Sequence, residues 1–133
     1  MTLDEVITIA SIIEREVVVA EERPLVSSVI YNRLEAGMKL EMCSTIMYVL
    51  EVPRDRVLYN DLKIESPYNT YMYEGLPVGP IANPGEASII AALYPDDTPY
   101  LFFVLVDPEA GSHEFNVTYN EHLDAMRKYD LDF

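Results

Sequence analysis

Apolar residues return at helical spacing through the first third of the chain. Val6, Ala10, Ile13 and Val17 form one stripe with Ile9 at its flank, and Asp4 and Glu5 ahead of them suit a helix N-terminus, so the pattern predicts a helix over 3–20. The run Glu21-Glu22-Arg23-Pro24 breaks it. Leu25, Val26, Val29, Ile30 and Leu34 then repeat the spacing, with Pro24 fit for a first turn and Gly37 for a stop, which predicts a second helix over 24–36. Met38-Lys39-Leu40 reads as a short extended piece, and a short helix starts at Cys43 or Ser44, runs to about Leu50 and ends before Pro53. Residues 54–73 are mixed, with one turn at Asp61-Leu62 and turn chemistry over 66–71. A long Pro/Gly loop covers 75–85, a length that in ordered chains tends to serve function, and leads into a helix over 85–94. Tyr100-Leu101-Phe102-Phe103-Val104-Leu105-Val106 is the clearest strand, aromatic and β-branched enough to predict burial on both faces. A turn at 107–111 returns His113-Glu114-Phe115-Asn116 as an antiparallel partner, and a last helix covers 118–129. The fold class is α+β: several helices packed around a small antiparallel hairpin, with the Pro/Gly loop lining a cleft.

Composition narrows the class. The chain has 133 residues, half of them apolar, enough for one domain, 1–133, with a real core. Its net charge is −14, and its three lysines and six arginines form no basic cluster. That argues against nucleic acid and against anionic membrane surfaces, both of which are bound by cationic side chains. One cysteine, Cys43, makes no internal disulfide. No run of about 18 apolar residues is present, so no segment reads as a membrane span. No signal peptide is read at the start; the chain opens directly into a helix, as a segment of a longer protein would.

One charge interrupts the first apolar run, Ala10-Ser11-Ile12-Ile13-Glu14-Arg15-Glu16-Val17. At about 100° per residue Glu14 falls roughly 70° from the stripe centre, while Arg15 points the other way with Asp4, Thr8 and Ser11. A carboxylate at the edge of a buried face is partly desolvated, which raises its pKa and suits a general acid. The plainer reading is a boundary glutamate bonded to a backbone amide or an arginine.

Other chemistry is sparse. His113 and His122 are the only histidines, no metal-ligand spacing occurs, and neither a nucleophile elbow nor a phosphate loop is present. No metal and no cofactor is expected. Cys43 reads as a small buried residue. Tyrosine is abundant, ten against no tryptophan; Tyr59, Tyr68, Tyr71 and Tyr73 cluster with Asn60 and Asn69 ahead of the loop. Such faces suit sugar rings, apolar in body and hydroxylated at the rim, and equally suit turn packing. Asn32, Asn69 and Asn83 can bond carbohydrate or cap turns.

Taken together these stretches resemble the YceG-like endolytic murein transglycosylases (MltG). ASIIERE at 10–16 resembles the family's catalytic-helix motif, and ERPLVSSVIYNRLEAGMKL at 22–40 its second helix and following turn. DLKIESPYNTYMYEGLPVGPIANPGEAS at 61–88 is similar to its most recognisable block, and YLFFV at 100–104 with HEFNVTYNEH at 113–122 to its C-terminal hairpin and helix. The match runs nearly the length of the chain in the family's order. The resemblance implies a lyase that cuts peptidoglycan glycan strands at the MurNAc–GlcNAc β-1,4 bond and leaves 1,6-anhydro-MurNAc ends. It implies Glu14 as the single catalytic acid/base and Glu16 as a supporting acid; the candidate substrate contacts, Asn32, Glu41, Thr45, Tyr68, Asn69, Tyr71, Asn83 and Glu86, are read from residue type and position in this chain and not carried over from the family. It further implies a membrane anchor and a LysM-like subdomain outside these residues, a place on the outer face of the bacterial cell membrane, and the cell-wall synthesis machinery as partner.

The sequence departs from the family pattern after the second helix. Where members carry a stretch like LQSDPT, this chain reads Leu40-Glu41-Met42-Cys43-Ser44-Thr45, with Cys43 at the aspartate and Ser44 at the proline. Leu123 stands where the pattern has asparagine after Glu-His. The departure at Cys43 motivates an alternative, a glycan-binding module without catalysis. A third reading, aminodeoxychorismate lyase, would need pyridoxal phosphate on a lysine, and none of the three lysines lies beside a phosphate-cradling loop.

Overall fold

In the computed structural model, residues 1–50 and 57–131 are described. The element order is α1 (Leu3–Glu16), a 3-10 turn (Ala20–Glu22), α2 (Arg23–Ala36), α3 (Cys43–Val49), a 3-10 turn (Tyr59–Lys63), α4 (Glu86–Leu93), β1 (Phe102–Asp107), β2 (Ser112–Asn116) and α5 (Tyr119–Lys128). The α+β expectation holds. The predicted end of the short helix at Pro53 lies outside the described residues.

Helix α1 opens with a capping box: the Thr2 hydroxyl accepts from the Glu5 N–H, and the Glu5 carboxylate accepts from the Thr2 N–H. It ends at Glu16, four residues before the predicted end, because Val17 turns extended and three β-branched residues follow. Helix α2 ends where predicted, with Gly37 in the left-handed region at φ 71°.

The core is built on α1, α2 and α4, where Ile9, Ile12, Ile13, Val26, Ile30 and Ala92 are fully buried. Thr8 and Ser11, assigned by periodicity to the solvent face, are buried too. Each hydroxyl donates within the helix, Thr8 to the Asp4 carbonyl at 2.8 Å and Ser11 to the Thr8 carbonyl at 2.7 Å, so burial leaves neither unpaired. Ser11 Oγ also accepts the Ile81 N–H at 3.0 Å, which fastens the middle of the Pro/Gly loop to α1. That loop lines a shallow cleft of about 300 Å³ through Leu76 and Val78.

The hairpin is tied to the end of α2. Asn32 donates to the carbonyls of Thr98 and Tyr100, both at 2.8 Å, and Arg33 Nε donates to the Leu101 carbonyl at 2.6 Å. Strands β1 and β2 pair antiparallel with Phe103 opposite Phe115 and a bulge between Leu105 and Asp107. The prediction that β1 is buried on both faces fails: the sheet has two strands, and Leu105 is 41% exposed.

Candidate active site

Glu14 lies in the last turn of α1, facing the start of α4. Its Oε1 accepts the Gly85 N–H at 2.8 Å and the Ser88 hydroxyl at 3.0 Å. Gly85 caps α4, and Ser88 is the third residue of that helix, so the carboxylate sits at the positive end of the helix dipole. A Cβ on Gly85 would lie 3.3 Å from Glu14 Oε1, so glycine permits the close backbone approach.

This geometry corrects the electrostatic expectation. The Gly85 amide first, then the Ser88 hydroxyl, hold the Glu14 carboxyl below the ordinary 4.5; burial pushes the other way and is outweighed, and Arg23 and Arg15 add to the lowering. The plainer sequence reading, a boundary glutamate on a backbone amide, describes the contact. Gly85 and Ser88 were not singled out in the sequence. The available signal was the run Pro84-Gly85-Glu86-Ala87-Ser88, which puts free amide donors and a hydroxyl at one helix start.

Glu16 projects to the other side of α1. Its Oε1 accepts the Ser44 N–H at 3.1 Å, at the start of α3. It lines a groove of about 810 Å³ together with Glu41, Tyr71, His113, Leu40 and Phe102. Glu41 is half-exposed at φ 52°, with a carboxylate oxygen 3.9 Å from Arg33 Nη1. Cys43 Sγ lies 3.1 Å from the Tyr71 hydroxyl. Burial pushes both up, the thiol and the phenol, so Cys43 is held as the thiol and has no thiolate character for nucleophilic work. His113 bonds both oxygens of Glu22, Nδ1 to Oε1 at 2.8 Å and the backbone N–H to Oε2 at 2.9 Å. His122 stacks on Phe102, and burial, with Arg33 nearby, lowers its pKa.

The remaining candidates divide by surroundings. Asn83 and Glu86 are exposed and lie within two residues of Gly85 in the sequence. Asn32 spends its amide on the two carbonyls named above. Asn69 is buried: it donates to the carbonyls of Leu62 and Ile64 at 2.9 and 2.7 Å and accepts the Tyr71 N–H at 2.9 Å. Thr45 is buried between the Met42 carbonyl and the Thr70 hydroxyl. Tyr68 is half-buried and packs on Tyr48, with ring centroids 4.8 Å apart. These three shape the segment 62–71 from within, while Glu41 and Tyr71 face the groove. Among the described residues no group of three or more His, Cys, Asp or Glu is placed to hold a metal ion.

Comparison with known proteins decides the family: the model described as YceG-like family matches residues 1–128. The chain belongs to the YceG-like family. It is 44% identical over 129 residues to the endolytic murein transglycosylase of Bacillus subtilis (strain 168), a match that covers 97% of this chain and 35% of the relative. It is 33% identical over 111 residues to the endolytic murein transglycosylase of Streptococcus pneumoniae serotype 2, over 78% of this chain and 20% of the relative. A solved YceG-like protein from Listeria monocytogenes superimposes with a TM-score of 0.85 at 40% identity, over 93% of this chain and 39% of that one. The chain thus spans about a third or less of the curated relatives it matches. No helix among the described residues is long and apolar enough to cross a membrane.

Proposed function

We propose that this chain is the catalytic domain of an endolytic murein transglycosylase, with Glu14 as its single acid/base. The carrying observation is Glu14 itself, fixed by two hydrogen bonds at the end of α1, within the residues that the YceG-like family model matches. The names of the YceG-like relatives support the substrate class, the glycan strand of peptidoglycan.

The reaction needs no activated water. Protonated Glu14 gives its proton to the glycosidic oxygen between MurNAc C1 and GlcNAc O4, and the C1–O4 bond breaks. GlcNAc departs as the alcohol. The MurNAc C6 hydroxyl attacks C1 within the same sugar, forming the C1–O6 bond, and its proton returns to the Glu14 carboxylate. Glycoside hydrolysis takes two carboxylates, one to ready a water. Here the nucleophile is already held at its target by the sugar ring, so one carboxylate suffices. Glu14 must enter protonated although the free site favours its anion; displacing water with the sugar raises a carboxyl's pKa and supplies that state. In this reading the exposed Asn83 and Glu86, close in sequence to Gly85, are the candidate strand contacts on the Glu14 side, and Glu16, Glu41 and Tyr71 are those of the groove. The substrate implies a setting outside the cytoplasmic membrane.

A second reading, a glycan-binding module without catalysis, draws on the same observation, since a carboxyl held as its anion is a poor proton donor in the free protein. Digestion of un-crosslinked glycan strands, read by mass spectrometry, separates the two. Anhydro ends made by the protein and lost in Glu14→Gln establish the lyase. Reducing ends would make water the nucleophile and require a second carboxylate. Strand binding with neither kind of new end leaves the binding module.

A further inference from the structure

Among the described residues, both hydrogen bonds to the Glu14 carboxylate fall on one oxygen. Oε1 takes the Gly85 N–H and the Ser88 hydroxyl, and neither bond engages Oε2. Ser88 is fully buried, so no strand can touch it, yet its hydroxyl reaches the one carboxylate assigned to chemistry. Gly85 and Ser88 belong to the same helix start, and the Ile81 N–H bond to Ser11 fixes the approach of that segment to α1. The clamp is therefore set by packing before any substrate arrives.

We infer that Ser88 is a positioning residue that pins Glu14 Oε1 and leaves Oε2 as the oxygen that carries the proton in both halves of the reaction. This rests on Glu14 being the acid/base. A carboxyl free to rotate would present either oxygen to the glycosidic bond; the clamp removes that choice. The same two donors favour the anion and so make the protonated group a stronger acid, which suits the bond-breaking half. The charged groups that act on the carboxylate are Arg23 at the start of α2 and Arg15 on its own helix, and the acidic residue in the first turn of the facing helix α4 is Glu86. The arginines act in the same direction as the clamp, and both remain when Ser88 is changed.

The test is Ser88→Ala, read two ways. In the first, the carboxyl carbons of glutamate are labelled in this chain and the Glu14 signal, assigned by its absence in Glu14→Gln, is titrated by NMR. The midpoint should rise towards the ordinary glutamate value in Ser88→Ala. In the second, kcat and KM on glycan strands are followed against pH. A plateau kcat lower by about tenfold is expected, as for loss of one hydrogen bond to a charged group. KM should be unchanged and the alkaline limb displaced to higher pH. An unmoved midpoint, or a raised KM with kcat intact, overturns the inference. If the protein makes no cuts at all, the lyase reading falls, while the titration still reports whether Ser88 holds Oε1.

Discussion

Glu14 and Glu16 stand two residues apart on one helix, and each carboxylate meets the start of a different helix. Glu14 meets α4 through a backbone amide and a buried hydroxyl; Glu16 meets α3 through a single backbone amide. About 200° of helix separates them, so they serve opposite sides of α1. Glu14 faces a tight junction whose partners are fixed by the core; Glu16 faces a groove of about 810 Å³. The fold thus gives one acid rigidity and the other room. Chemistry that moves a proton over a hydrogen-bond length needs the first, and holding a long polymer needs the second.

Removing each carboxylate tests that division most directly. Glu14→Gln keeps the shape and deletes the proton transfer, so cleavage should fall by about 10²–10⁴-fold, the usual worth of a positioned acid/base. Glu16→Gln should lower kcat/KM by no more than about tenfold, chiefly through KM, as for one polar contact at a groove. Anhydro-end formation on the same strands gives both numbers. Equal losses would mean that the two acids work as a pair and would break the comparison.

Two glycines allow the contrast to be drawn again without touching a carboxylate. Gly111 lies at φ 77°, and a Cβ there would come within 2.7 Å of Val18 Cβ, just past Glu16. Gly111→Ala should therefore destabilise the fold by about 1–3 kcal/mol, through left-handed strain and overpacking, and leave kcat per folded molecule intact. Gly85 has an ordinary extended φ of −78°, and a Cβ there meets only Glu14 Oε1. Gly85→Ala should change stability by less than about 1 kcal/mol and lower kcat by roughly tenfold as the carboxylate is pushed off its donors. Thermal melts and turnover on the two variants would show the effects crossing over; a shared pattern would mean that the junctions are not functionally distinct.

Most of the elements were legible because their signals are local. The Gly37 stop, the hairpin pairing and the start of α1 depend on neighbours a few residues away. The errors have distant causes. Thr8 and Ser11 read as solvent-facing because periodicity counts a hydroxyl as polar, whereas here each is satisfied by the helix backbone and buried. The acidity of Glu14 was expected to fall through desolvation; it rises because donors 71 and 74 residues further along the chain reach it. Sequence spacing carries no information about that approach. Asn32 and Asn69 have residue types that serve a sugar or a carbonyl equally well, and only the fold shows carbonyls filling their amides.

The lowered Glu14 pKa has a consequence for stability as well. A carboxyl held below 4.5 in the folded state adds stability that is fully present above that value and is lost as pH falls through the lowered folded value. Melting temperatures of the wild type and Glu14→Gln should therefore differ most above about pH 5 and converge in stronger acid. Exposure of the site keeps the difference small. A gap that widened on acidification would contradict the clamp.

The smallest effect is expected at Ser44, where the family pattern places proline. Ser44 supplies the N–H that Glu16 accepts, and its own buried hydroxyl has no partner among the described residues. Ser44→Pro would delete both groups. Proline is tolerated in the first turn of a helix, where its missing N–H closes no helical hydrogen bond, and α3 would begin one residue later to relieve Cys43. The lost bond to Glu16 and the removed unpaired hydroxyl offset each other, so stability should move by about 1 kcal/mol or less. Glu16 would then be untethered over a groove wide enough to accommodate its motion, and kcat should change less than about threefold, with any loss appearing in KM. Ser88→Ala is the matching removal of one donor from Glu14. If Ser44→Pro lowered kcat as far, rigidity would matter on both sides of α1, and room alone would not explain Glu16.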